Sequence, residues 1–390
     1  MSVPKRILPV IVFAQFAGTS LWFAGNAILP QVHEAWKLPE SSIASITSSV
    51  MLGFITGTFL FALFSISDRF KPTRVFLICS LLGAIANIGL LFMETTYLNL
   101  IVLRFITGIF IAGIYPIGMK ISADWFGKEL GKALGYLVGA LVLGSAFPHL
   151  LNHLGSQLSW KFVLIGTSVL AAIGGITMIT FVGDGPHRVL GAKFEPSKIV
   201  SVFKEKSFRS AAFGYFGHMW ELYTLWAFVP VVLAYYATQN GTEMPISLWT
   251  FIIIACGSIG CVLGGLFSQR LGSARVAFRF LLLSGIICLI SPLLYFLPQP
   301  LFLLAFMIWG FAVIGDSAQF SSLNTLTAPP AFKGTALTIA VSIGFLLTIP
   351  SIQLLQYLSE FIATEWLLFT LVIGPIFGLR ATKYLLHLKF

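Results

Sequence analysis

The chain has 390 residues, of which 57% are hydrophobic and only 10% are charged, and its formal net charge is +10. Soluble domains carry roughly 25% charged residues, so this composition excludes a soluble enzyme and predicts a membrane protein. A membrane span needs about 20 apolar residues, which leaves room for about twelve spans with short loops. Short polar stretches containing Pro or Gly separate twelve apolar segments: 7–29, 42–64, 75–93, 98–118, 133–154, 161–182, 210–236, 246–268, 277–297, 300–323, 334–358 and 363–386.

Basic side chains favour one side of these spans. With the N-terminus inside, every one of the 24 Lys and Arg residues falls in a cytoplasmic segment except Lys37, Lys161 and Arg104. This bias is the positive-inside rule, so both termini are expected in the cytoplasm. The net charge therefore reports orientation, and no nucleic-acid partner is expected. Short loops and a compact chain indicate a bacterial inner-membrane protein.

The two halves of the chain repeat. Arg69 aligns with Arg270 at an offset of 201 residues, and Gly108 aligns with Gly310 at an offset of 202. Parallel repeats of six spans are one transporter architecture. The predicted fold class is an all-α polytopic membrane protein with twelve transmembrane helices in two six-helix pseudo-repeats. The predicted divisions are an N-terminal six-helix bundle at 1–182, a cytoplasmic linker at 183–209 and a C-terminal six-helix bundle at 210–390.

Several motifs resemble those of the major facilitator superfamily over essentially the whole chain. The segment from Asp68 to Arg74 is similar to the family's Asp-Arg-x-Gly-Arg-Arg loop, and its second copy has Gln269 in place of the acid. Arg104-Phe-Ile-Thr-Gly108 resembles the family's Arg-x-x-x-Gly motif in the fourth helix. The resemblance implies a transporter fold whose first, fourth, seventh and tenth helices line a central cavity.

In the family this loop is a latch that holds one state of the transport cycle. The physical chemistry of the loop favours the same role, because Asp68 can accept hydrogen bonds from a neighbouring helix N-terminus and the arginines can pair with carboxylates such as Asp124 or Glu129. The alternative is that these arginines only obey the positive-inside rule. The predicted gating residues are Asp68, Arg69, Arg74, Arg270 and Arg275.

Four ionisable side chains lie well inside the predicted spans: Arg104, His218, Glu221 and Asp316. A charge in hydrocarbon costs at least about 2.5 kcal/mol, so such residues tend to be functional. We expect an outer pair of Arg104 with Glu221 and an inner pair of His218 with Asp316. A proton-coupling role is predicted for His218, Glu221 and Asp316. The alternatives are a structural pair of Arg104 with Glu221, an interfacial Asp316, and a neutral His218 that only packs.

Uncharged polar residues add to this predicted cavity. The first span carries four of them at spacings of 4, 3 and 4 residues: Gln15, Thr19, Trp22 and Asn26. This spacing predicts one helical stripe that faces the bundle. The alternative is ordinary hydrogen bonding between helices. The predicted substrate-binding residues are Gln15, Thr19, Trp22, Asn26, Arg104, Tyr115, Tyr215 and Gln319.

The resemblance implies a secondary active transporter that works by alternating access. No nucleotide-binding loop occurs, so an ion gradient, expected to be protons, drives it. Arg104 favours a small anionic or zwitterionic organic solute; the alternative is a proton antiporter that exports apolar or cationic compounds. The sequence lacks the reactive cluster that a membrane enzyme needs, so no enzyme activity and no cofactor are expected. His149 and His153 are spaced like metal ligands but have no carboxylate or Cys near them in the sequence, so no metal site is expected. A monomer in contact with membrane lipid is sufficient for this architecture.

Overall fold

The computed structural model describes residues 3–93, 96–126, 130–155, 158–187, 198, 200–330 and 333–388. Its secondary structure is helical because a helix satisfies its backbone hydrogen bonds within one segment, whereas lipid offers the backbone no hydrogen-bond partners. The chain divides into two compact units, Met1–Gly191 and Ala192–Phe390. Part of the predicted linker, residues 188–197 and 199, lies outside the described residues.

The described part of the first unit contains nine α-helices and one 3₁₀ turn. A 3₁₀ turn, Gly89–Leu91, extends the third span. The α-helices are α1 (Ile7–Thr19), α2 (Ala24–Val32), α3 (Ser42–Leu63), α4 (Ile66–Arg69), α5 (Pro72–Ile88), α6 (Tyr97–Ile111), α7 (Tyr115–Trp125), α8 (Leu130–Leu154) and α9 (Lys161–Phe181).

The second unit follows the same plan, with 3₁₀ turns at Ser201–Lys204, Leu368–Val372 and Lys383–His387. Its described α-helices are α10 (Lys206–Asn240), α11 (Ile246–Leu271), α12 (Ser273–Leu294), α13 (Gln299–Gly315), α14 (Ser317–Thr327), α15 (Lys333–Leu358), α16 (Thr364–Leu367) and α17 (Ile373–Thr382).

Eleven helices or helix pairs among the described residues are long and apolar enough to cross a membrane. They correspond to all the predicted spans except the seventh. That span is α10, which is 35 residues long but carries His218, Glu221 and several tyrosines. The chain is therefore an all-helical, multi-pass membrane protein, as its composition predicts.

Four spans that the sequence predicts as single helices are interrupted. In the twelfth, a 3₁₀ segment, Leu368–Val372, separates α16 from α17. The first span breaks between Thr19 and Ala24, and the tenth breaks at Asp316. The fourth span breaks before Tyr115, where Pro116 cannot donate a backbone hydrogen bond to the preceding turn. Each of these three breaks leaves backbone carbonyl groups without helical partners inside the bundle.

The predicted repeat is visible in glycine contacts at equivalent places. In each unit two glycines let one helix lie directly against the backbone of another, α3 against α6 and α11 against α13. A Cβ atom on any of these glycines would overlap a facing carbonyl oxygen. The matched pairs are Gly57 with Ile109 and Gly260 with Phe311, then Gly108 with Val50 and Gly310 with Ile253.

Substitution Gly108→Ala is expected to destabilise the protein by about 1–3 kcal/mol, because the new methyl group overpacks the α3–α6 contact. Gly131→Ala is the matched control, since no atom of the described residues lies within 4 Å of its added Cβ. In the control, Ala in a helix is neutral or stabilises by up to about 1 kcal/mol. Thermal unfolding in detergent measures both. Equal unfolding temperatures for Gly108→Ala and the unsubstituted protein would contradict the close contact.

Candidate functional site

Arg104 is fully buried in the first unit and binds the interruption of the first span. Its Nη1 donates to Asn87 Oδ1 at 2.9 Å, and its Nη2 donates to the carbonyl oxygens of Leu21 at 2.7 Å and Trp22 at 2.5 Å. These carbonyl groups follow the C-terminal end of α1, where the helix dipole places negative partial charge. In the described part of the chain, Arg104 is thus held by neutral acceptors.

Asn87 on α5 positions the Arg104 guanidinium. While its Oδ1 accepts from Arg104, its Nδ2 donates to Thr167 Oγ1 and Ser168 Oγ, each at 3.0 Å, and to the Leu164 carbonyl oxygen at 3.3 Å. These partners lie on α9. Sequence reasoning missed this cluster; the only signal was an Asn inside an otherwise apolar span.

The predicted pair of His218 with Asp316 is confirmed. His218 Nδ1 on α10 lies 2.8 Å from Asp316 Oδ1, and both side chains are at most 1% exposed. Asp316 lies at the break between α13 and α14 and is buried inside the unit, so it is not at the membrane–water interface. The imidazole also contacts the rings of Tyr215 and Phe320, each tilted against it with the ring centroids 6.0 Å apart.

Glu221 lies three residues after His218, on the same side of α10. Its Oε1 accepts from Ser284 Oγ at 2.6 Å and from Trp309 Nε1 at 2.7 Å, whereas Oε2 has no partner among the described residues. Three titratable groups of the second unit therefore form one buried cluster. The predicted pair of Glu221 with Arg104 would join the two units and stays a prediction.

Comparison with known proteins identifies the family. A model of the Major Facilitator Superfamily matches residues 11–351. The chain belongs to this superfamily. It is 25% identical to a probable sulfoacetate transporter of Cupriavidus necator, over 59% of this chain and 58% of that protein. It is 26% identical to an uncharacterized protein of Campylobacter jejuni, over 72% of this chain and 86% of that protein.

The fold of the superfamily is also found among solved structures. The proton:xylose symporter XylE matches with a TM-score of 0.73 over 98% of this chain and 95% of that chain, at 15% identity. At that identity the match shows the fold alone. The match to the Cupriavidus relative spans less than two thirds of that protein's length. As a superfamily member, the chain is a membrane transporter and not an enzyme.

The first copy of the superfamily's loop contacts its surroundings through lysines. Lys120 Nζ donates to the Ser67 carbonyl oxygen at 2.9 Å, and Lys71 Nζ lies 3.4 Å from Asp184 Oδ2. The Asp68 side chain and Glu129 lie outside the described residues. The contacts resolved in this loop are thus made by residues that the sequence prediction did not single out.

The predicted gating arginines are all exposed. Those of the second copy line a cleft of about 240 Å³ between the α11–α12 turn and the C-terminal 3₁₀ turn. Their gating role stays a prediction. The four exposed arginines are Arg69, Arg74, Arg270 and Arg275.

The predicted polar stripe of the first span is buried, but it is not one helical stripe. The helix is interrupted between Thr19 and Trp22, so the spacing no longer defines a single face. Thr19 Oγ1 donates to the carbonyl oxygen of Gln15 at 2.8 Å, and Asn26 Nδ2 donates to Thr47 Oγ1 on α3 at 2.7 Å. The Gln15 amide has no partner in the described part of the chain.

The other predicted substrate-binding residues are also buried. Tyr115 begins α7 after the break of the fourth span. Tyr215 is next to His218, and its ring packs against Gly344. Gln319 lies one turn after Asp316, and its backbone N–H donates to the Asp316 carbonyl oxygen at 2.9 Å. Tyr215 and Gln319 thus lie close to the His218–Asp316 pair.

Proposed function

We propose that this protein is a proton-coupled carrier that moves a small organic anion or zwitterion across the bacterial inner membrane by alternating access. The buried pair of His218 with Asp316, with Glu221 beside it, carries the proposal. Ionisable groups buried in a membrane protein are costly and commonly belong to proton or substrate pathways. In this scheme the three groups bind and release the coupled proton.

The substrate class follows from Arg104. Its partners are neutral carbonyl and amide oxygens, and an anionic oxygen makes a stronger, charge-assisted bond with a guanidinium. A carboxylate or sulfonate can therefore replace some of these neutral acceptors during transport. The name of the Cupriavidus relative, a probable sulfoacetate transporter, supports the same class. The buried polar residues around each cluster would complete the substrate site, while the exposed loop arginines would act in gating.

Proteoliposomes containing the purified protein test the proposal. We expect uptake of labelled sulfoacetate, acetate, succinate or taurine to exceed that of empty liposomes, and to rise when the outside is made more acidic. Xylose is the neutral control. Transport of apolar cations without any of these anions would overturn the proposal and favour a drug exporter. If uptake of an anion does not depend on the pH gradient, only the proposed coupling to protons is overturned.

A further inference from the structure

His149 on α8 is a buried imidazole with an unused nitrogen. It is 3% exposed, and its Nε2 has no hydrogen-bond partner within the described residues. Ser145 precedes it by one helical turn and therefore shares its face. The Ser145 hydroxyl is fully buried and has no partner in the same part of the chain. Buried polar groups are normally paired, so two unpaired ones on one face indicate a ligand.

Contacts on either side of His149 bracket its level along the first span. Toward the cytoplasm, Thr19 Oγ1 at the end of α1 lies 3.5 Å from the Leu141 carbonyl oxygen of α8. Toward the outside, Gln31 Nε2 of α2 donates to Asn152 Oδ1 of α8 at 2.8 Å. His149 falls between these two contacts, so it lies level with the stretch of the first span from Thr19 to Gln31, which contains the interruption between α1 and α2.

Arg104 binds the same segment from α6. Its Nη2 donates to the carbonyl oxygens of Leu21 and Trp22. The same stretch of the first span, Thr19 to Gln31, therefore has a cation bound at its interruption and the His149 imidazole beside it on α8. We propose that His149 Nε2–H donates a hydrogen bond to the acid group of the substrate, with the Ser145 hydroxyl as a second donor. This inference rests on the proposed function, because it needs an anionic substrate near Arg104.

The chemistry suits a carboxylate or a sulfonate. Either group has several acceptor oxygens, so one group can accept from a guanidinium, an imidazole N–H and a hydroxyl together. Bonds to a charged oxygen are shorter and stronger than bonds between neutral groups. The donors on α8 would add geometric selectivity to the charge that Arg104 supplies.

The test is ligand binding to the purified full-length protein, followed by thermal stabilisation at increasing concentrations of sulfoacetate, acetate, succinate and taurine. His149→Phe keeps a ring and removes the donor, so we expect about tenfold or weaker binding of the preferred anion, as for a lost bond to a charged group. His149→Gln keeps an N–H near the Nε2 position and should retain most of the affinity. His153→Phe, one turn further along and only partly buried, is the matched control and should bind normally.

The outcomes separate this inference from the proposed function. If the unsubstituted protein binds none of the four anions, both are overturned. If it binds one and His149→Phe binds it equally well, only the role of His149 is overturned. Should His149→Phe fail to fold, His149→Gln is compared with His149→Asn, whose amide cannot reach the Nε2 position. Binding retained by Gln and lost by Asn is expected, and equal binding by both overturns the inference.

Discussion

The substitution Asp316→Asn is expected to abolish accumulation of substrate driven by a pH gradient. Asn keeps the size of the side chain and a hydrogen bond to His218 but cannot take up and release the coupled proton. One unit of pH gradient supports up to about tenfold accumulation per coupled proton. In the variant, internal substrate should therefore rise only to the external concentration. Proteoliposomes with an acidic exterior measure the difference.

Two controls interpret this result. Exchange of internal for external substrate needs no net proton movement, so Asp316→Asn should retain it, which shows that the variant is folded. Asp184→Asn removes a carboxylate that is 37% exposed, and this variant should accumulate substrate normally. Accumulation by Asp316→Asn at the level of the unsubstituted protein would show that Asp316 does not carry the proton.

The substitution Arg104→Ala is expected to cause the largest loss of stability. It leaves Asn87 Oδ1 and the carbonyl oxygens of Leu21 and Trp22 buried without their donor. Each unsatisfied buried group costs about 1–3 kcal/mol, so the total is roughly 3 kcal/mol or more. Thermal unfolding in detergent should show a midpoint several degrees lower.

Arg104→Lys should recover only part of this loss, because an ammonium group cannot reproduce the forked geometry of a guanidinium. The matched control is Arg279→Ala on α12, where the side chain is exposed and the change should lie within about 0.5 kcal/mol. If Arg104→Ala unfolds at the same temperature as Arg279→Ala, the hydrogen bonds of Arg104 do not stabilise the first span.

Some of the structure follows from the sequence because the membrane allows few solutions. Twelve apolar runs predict twelve helical spans, since only helices satisfy the backbone in lipid within one segment. The pair of His218 with Asp316 could be predicted because ionisable residues are so few inside the spans that each has few possible partners. The aligned glycines Gly108 and Gly310 predicted a repeat, and they make the same backbone contact in the two units.

Other features depend on contacts between residues far apart in the chain. Ser20-Leu-Trp-Phe23 contains neither Gly nor Pro, so the sequence predicts a continuous first span. The break persists because Arg104, more than 80 residues away, supplies donors for the carbonyl groups that leave the helix. The helix propensity of the segment cannot reveal a hydrogen-bond donor so far away in the sequence.

The sequence by itself determined the membrane class, the repeat and the scarce buried charges. Only the tertiary structure decided what surrounds those charges. Glu221 was expected beside a cation, but within its own unit it is held by Ser284 and Trp309. Serine and tryptophan occur throughout such spans, so their type gives no signal. The fold brings Ser284 of α12 and Trp309 of α13 to Glu221 of α10, and a buried carboxylate needs such donors because buried polar groups are normally hydrogen-bonded.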